Sequence, residues 1–233
     1  MTKLFLRILI ASLMVCGLIS CNEDEPVYSC NEEADSWVKS NLSNIRNMTR
    51  SSFLEISDPI LSKGAYRALS TSQKQTFWTE KLNNALSLNW SKKERDHINN
   101  LIEFIRDNQV FSENLSEEQK DKVEEFLFLW EKYALNNLGW NHSTLYGLCV
   151  SLSDILDTKG TLPKMPEKVI ITNPSCQCST SSDYCSDKYN RVPEGDISLV
   201  VAVCKEGGCQ AASSGCGLLL LYKCNGNCNL LNL

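Results

Sequence analysis

Apolar residues recur at helical spacing through much of the chain. Ile98, Leu101, Ile102 and Ile105 fall at i, i+3, i+4 and i+7, so one face of a helix carries all four. Val123, Phe126, Leu127, Trp130, Ala134 and Leu138 repeat that spacing, and Phe128, Leu129 and Leu135 widen the stripe. This predicts a helix at the centre of a core. Trp78, Leu82, Ala85 and Leu86 line a third face. Start signals precede these runs. Ser70 to Gln73, Ser91 to Glu94 and Ser116 to Gln119 each fit the capping box, and Ser29 to Glu32 is a fourth match at the first helix. Asp58-Pro59 breaks the chain between the first two helices, Gly139 is a C-cap, and a last helix starts at Asn141 and runs to near Leu152. We expect about six helices in a bundle over residues 28–157. Trp78, Trp90, Trp130 and Trp140 are expected to pack in its core.

The periodicity then stops. Residues 158–173 hold Lys159-Gly160-Thr161, Pro163 and Pro166 in a polar setting and read as a linker. Residues 174–233 carry no helix signal. Ile197 to Cys204 is a β-branched run and reads as a strand, with Gly207-Gly208 as a turn after it. Leu218 to Cys224 reads as another strand, and Asn225-Gly226 as a tight hairpin turn. The expected fold class is therefore α+β: an N-terminal all-α bundle followed by a small disulfide-rich β module.

Composition sharpens the second half. The chain has 233 residues and 12 Cys, and eight of those Cys lie between Cys176 and Cys228. That density marks a disulfide scaffold, because a module this small buries too little surface to fold well unaided. There are 23 Lys+Arg against 28 Asp+Glu, a net charge of −5. An acidic balance argues against a nucleic-acid partner, since phosphate binding needs a basic face.

The N-terminus bears on compartment. Lys3 and Arg7 precede a nearly unbroken apolar stretch from Ile8 to Ile19, which ends in Leu18-Ile19-Ser20-Cys21. This resembles the signal peptide and lipobox of bacterial lipoproteins, in which the chain is cut before the Cys and the thiol is lipidated. The resemblance implies a signal peptide over 1–20 and a lipid on Cys21. Asn22-Glu23-Asp24-Glu25 then begins an acidic tether over 21–27, similar to the surface-export signal of Bacteroidetes lipoproteins. Losing residues 1–20 removes Cys16, and lipidation uses Cys21. Ten Cys remain: Cys30, Cys149, Cys176, Cys178, Cys185, Cys204, Cys209, Cys216, Cys224 and Cys228. Ten is even, as a full disulfide set requires. Cys30 and Cys149 are expected to bridge the first and last helices.

Cys176-Gln177-Cys178-Ser179-Thr180-Ser181-Ser182-Asp183-Tyr184-Cys185 resembles the start of the bacteriocin fulvocin C. Gly215-Cys216-Gly217 and Cys224-Asn225-Gly226-Asn227 look like its later segments, in the same order. The whole arrangement is similar to the fulvocin C-related lipoproteins of Bacteroidetes. These place a helical segment like Tyr66-Arg67-Ala68-Leu69 to Trp78-Thr79-Glu80-Lys81-Leu82 before the Cys-rich end. The spacing from Cys185 to Cys204 departs from the bacteriocin and Cys228 has no assigned counterpart, so disulfide connectivity stays open. The resemblance implies a surface lipoprotein acting in interbacterial antagonism. A non-toxic recognition or immunity lipoprotein is the alternative.

Site chemistry follows from these residues. Cys176-x-Cys178 and Cys224-x3-Cys228 approach zinc-ligand spacing, but both His residues, His97 and His142, lie in the helical region; disulfides are expected, with no metal and no cofactor. His142 and Ser143 near Cys149 do not make a catalytic set, and no enzyme activity is expected. From 174 to 233 four basic residues face five acidic ones, which argues against a cationic lipid-binding peptide. Beyond the membrane reached through Cys21, the expected partner is a protein receptor on a target bacterium. The expected binding surface is Ser179, Thr180, Asp183 and Tyr184 in the stapled loop, with Leu218, Leu220 and Tyr222 on the strand. Burial of the Leu218–Leu221 run against the helices is the competing reading.

Overall fold

The computed structural model describes residues 26–163, 176–185, 200–209 and 211–232. Cys21, the N-terminal signal, the acidic run Asn22 to Glu25 and Ile197 to Leu199 lie outside them.

Helix starts follow the capping chemistry. The hydroxyls of Ser70, Ser91 and Ser116 accept from the amides of Gln73, Glu94 and Gln119, whose side chains accept in return from the cap amides. These three boxes open α5 (Thr71–Ala85), α6 (Lys92–Asp107) and α7 (Glu117–Asn137). The fourth match does not form. Asn31 caps α1 (Glu32–Ser40), accepting from the amide of Ala34 at 2.8 Å, while Ser29 only accepts from the amide of Asn31. An Asx side chain one residue before the helix reaches the orphan amides better than a Ser three residues back. Two short helices follow, α2 (Leu42–Ile45) and α3 (Arg50–Leu54). Asp58 then caps α4 (Pro59–Ala68) with Pro59 in the first turn. Asn141 caps α8 (His142–Cys149). The described residues therefore hold eight helices rather than about six; α2 and α3 are too short to show a period.

The stripes converge on one core. Trp78, Leu82, Ile98, Leu101, Ile105, Leu127, Ala134, Leu145 and Leu148 are buried, and so are Trp90, Trp130 and Trp140. Phe104 stacks on Phe126 at 3.6 Å between centroids, joining α6 to α7. The widened stripe on α7 is corrected: Phe128 is 60% and Leu129 54% exposed. Val123, Leu127, Trp130 and Ala134 are buried, and Phe126, Leu135 and Leu138 pack partly buried beside them, so the stripe widens through Leu135 but not through Phe128 and Leu129.

The chain after α8 does not leave as a linker at residue 158. Arg50 donates to the carbonyl of Leu152 and pairs with Asp154 at 2.6 Å, while Lys81 donates to the carbonyls of Gly147 and Ser153. The carboxylate of Asp157 accepts from the amides of Lys159 and Thr161. Gly160, at φ +82°, lies against α8 so closely that a Cβ would collide with the carbonyl of Ser143. Residues 158–162 thus belong to the helical body. Of the rest of the expected linker, residues 164–173 lie outside the described residues.

The C-terminal region is a nested pair of two-stranded sheets. β1 (Val200–Glu206) pairs antiparallel with β4 (Gly226–Asn232), placing Cys204 opposite Cys228. β2 (Ala212–Cys216) pairs inside them with β3 (Tyr222–Cys224). Gly207 and Gly208, both at positive φ, turn the chain after β1. Two expectations fail here, the first in part. Of the expected strand Leu218 to Cys224 only Tyr222–Cys224 forms; Leu218–Leu220 is a 3-10 turn with Leu219 at φ +53° and Leu220 at φ +56°. A strand shows alternate side chains to opposite faces, whereas this turn buries the adjacent pair Leu218 and Leu219, at 2% and 0% exposure. Asn225-Gly226 is no hairpin turn either, because β3 and β4 each already pair with another strand.

Candidate functional site: the docked face of the cysteine-rich module

The string from Cys176 to Cys185 is bonded internally at nearly every step. The carbonyl of Cys178 accepts from the amides of Asn225 and Gly226, and the carbonyl of Gly226 accepts from Gln177 and Cys178. The side chain of Asn225 accepts from the amide of Thr180 at 2.9 Å and donates to its hydroxyl at 2.8 Å. Ser182 Oγ accepts from the amide of Leu218 at 3.1 Å, and Asp183 Oδ1 from that of Cys204 at 2.9 Å. The Tyr184 hydroxyl donates to the Glu131 carboxylate on α7. Burial, and then this carboxylate, hold the phenol far above its ordinary pKa.

The expected binding surface is therefore corrected. Ser179, Tyr184 and Leu218 are buried, at 1%, 5% and 2%. Leu220 and Tyr222 are half-buried; Thr180 and Asp183 are exposed but engaged in the bonds just given. Tyr184, Leu218 and Leu219 belong to the same apolar core as the helices. The module's face is occupied, and its occupant is the helical domain of the same chain.

α4 provides the grip. Lys63, Tyr66 and Arg67 fall at i, i+3 and i+4, on one helix face. The Tyr66 hydroxyl donates to the carbonyl of Leu219 at 3.1 Å and accepts from Trp78 Nε1 at 3.0 Å. Burial raises its pKa well above the usual phenol value. Arg67 donates through Nε to the carbonyl of Ser214 and through Nη1 to that of Tyr28. Lys63 Nζ reaches the carbonyls of Cys176 and Gln177 at 3.5 and 3.4 Å, and burial together with Arg67 lowers its pKa to about 8. These three residues are absent from the sequence-derived site. Their i, i+3, i+4 spacing was the available signal, but it does not say what the face meets.

Four disulfides join Cys176 to Cys209, Cys178 to Cys204, Cys185 to Cys228 and Cys216 to Cys224. The expected Cys30–Cys149 bridge is not formed, and both thiols are free. Cys30 Sγ faces the module and donates to the carbonyl of Ala211 at 3.2 Å. Cys149 ends α8 inside the core, where burial pushes its thiol up to about 12. A thiol so held offers almost no thiolate for nucleophilic attack near neutral pH. His97 stacks on Trp130 at 4.4 Å, and burial lowers its pKa to about 4. The His142 ring lies 5.7 Å from that of Tyr184.

The chain matches no family model, no curated protein and no solved structure.

The residues of the suggested zinc spacing are divided. Cys176, Cys178, Cys224 and Cys228 belong to four different disulfides. The sulfurs that do converge, within 4.8 Å of one another, are those of Cys178, Cys185 and Cys228. No described helix is long and apolar enough to cross a membrane.

Proposed function

We propose that this chain is a bacterial outer-membrane lipoprotein, anchored through Cys21 and exposed at the cell surface. It carries a bacteriocin-like disulfide module and acts in interbacterial antagonism, through a protein receptor and without catalysis. The lipobox, the acidic tether and the C-terminal cysteine string support this reading. The observation that carries it is the stapled module itself, in which every cysteine of the Cys176–Cys185 string enters a disulfide and Tyr184, Leu218 and Leu219 are seated in the helical core. A module held in this way keeps its apolar face covered until it parts from the helices. Exposed apolar patches of that kind otherwise drive association with other surfaces.

The same burial favours the alternative, a non-toxic recognition or immunity lipoprotein in which module and helices work as one body. The two are separable with residues 22–233 carrying a protease site within 164–173. Intact and cleaved chains, each oxidised, are added to related bacteria and growth is followed. Inhibition by the cleaved oxidised chain, and not by a cleaved, reduced and alkylated one, supports antagonism. No inhibition across a broad panel, with release of the module verified by size, removes the toxin and leaves the recognition lipoprotein.

A further inference from the structure

α7 carries two apolar faces, and its own core takes one of them. Val123, Leu127, Trp130 and Ala134 are buried on the inward side. On the outward side Phe128 is 60%, Leu129 54% and Tyr133 43% exposed. No other described helix exposes three large hydrophobic side chains. With Glu125 and Lys132 these residues fall at i, i+3, i+4, i+7 and i+8, the spacing of a single helix face.

The charges on that face have no use within the chain. Glu125 and Lys132 are exposed and make no ion pair among the described residues. Seven residues apart, they stand about 10 Å apart along the helix axis, too far to pair with each other. The Lys132 ammonium lies instead over the Phe128 ring, 5.7 Å from its centroid. The face therefore has opposite charges at its two ends and apolar side chains between them.

Such a face is complementary to itself in one orientation. Two α7 helices set antiparallel, with a two-fold axis between residues 128 and 129, bring each Phe128 against the partner's Leu129. The same register brings each Glu125 against the partner's Lys132. A two-fold contact uses the same patch on both copies, as this one does. The exposed carboxylates Glu117, Glu118, Asp121 and Glu124 then point toward opposite ends of the pair, whereas a parallel pair stacks them on one another. These acids also disfavour an anionic lipid surface as the occupant. Phe128, Leu129 and Tyr133 offer roughly 300 Å² of apolar surface. That is under half of the about 800 Å² per partner in a standard interface, so the association is reversible.

We propose that two copies of this chain associate antiparallel through the outward face of α7, with Glu125 of each paired to Lys132 of the other. The inference is independent of the proposed antagonism. The test uses residues 22–233, oxidised, with Cys30 blocked by a maleimide so that no disulfide links the copies. Sedimentation equilibrium up to about 0.5 mM is expected to show monomer and dimer in exchange. Phe128→Ser with Leu129→Ser should leave monomer throughout. Glu125→Lys or Lys132→Glu alone sets like charges together and should weaken association about tenfold or more. Both exchanges in one chain restore the pairing only in the antiparallel register, and should return association to within about threefold of the parent. All four positions are exposed, and circular dichroism checks that helix content is kept. A monomeric parent, association that survives loss of Phe128 and Leu129, single exchanges without effect, or a double exchange that restores nothing overturns the proposal. Phosphatidylcholine vesicles are run in parallel: a monomeric parent that binds them through Phe128 and Leu129 gives the face to a membrane instead.

Discussion

Tyr66 joins two buried polar groups that have no alternative in an apolar setting, the Leu219 carbonyl and the Trp78 indole N–H. Tyr66→Phe keeps the ring and removes both bonds. We expect a loss of about 2–3 kcal/mol in urea unfolding, because unpaired buried groups keep their desolvation cost. Amide exchange should quicken across Leu218–Leu221, and unchanged exchange there would show that the turn holds itself. His97 makes a second case. Its folded pKa of about 4 lies below the ordinary 6.5, because burial on Trp130 disfavours the imidazolium. The unfolded chain therefore binds the extra proton first as pH falls. The stability tied to neutral His97 is fully present above about 6.5 and is lost down to about 4. After discounting for its partial exposure this amounts to about 1–2 kcal/mol. Urea titrations at intermediate pH values should show that slope, and His97→Gln, which can still donate to the Trp130 carbonyl, should flatten it.

Elements with local causes were legible in advance. The capping boxes at Ser70, Ser91 and Ser116 act within one turn of their own helices, so four residues suffice to reveal them. Ser116→Ala should cost about 1 kcal/mol in thermal or urea unfolding. Tyr222–Cys224 forms the strand that its sequence suggests, but Leu218–Leu221 does not, because its conformation is decided elsewhere. Two consecutive left-handed leucines are costly in isolation, at roughly 1–2 kcal/mol per residue. They persist because Leu218 and Leu219 gain a buried site among the helices. The site itself was legible only in part: the cysteine string was singled out, but its inward aim depends on α4 and α7, far away in sequence. The segment after α8 carries the same lesson, since Gly160 looks like a breaker alone and like a contact beside α8. Gly160→Ala should cost about 3 kcal/mol or more, combining a positive φ with a backbone collision. A melting temperature within a degree of the parent would contradict that packing.

For the whole molecule, module and helices share one core, so they should unfold together rather than as separate bodies. The free thiols give a direct check on the cysteine assignment. Residues 22–233, kept oxidised, should take up one equivalent of a charged maleimide at Cys30 and a second, at Cys149, only in urea. No uptake in urea would restore the bridge between them. The connectivity has one more consequence. Synthesis delivers Cys176, Cys178 and Cys185 before any of the residues they finally join, Cys209, Cys204 and Cys228. Only Cys216 and Cys224 are near neighbours. A thiol oxidase acting on the growing chain meets the first three, with the free Cys30 and Cys149, before any correct partner exists and pairs them wrongly. The molecule therefore needs a catalyst that reshuffles disulfides as well as one that makes them, and its yield in a host should follow the supply of the former.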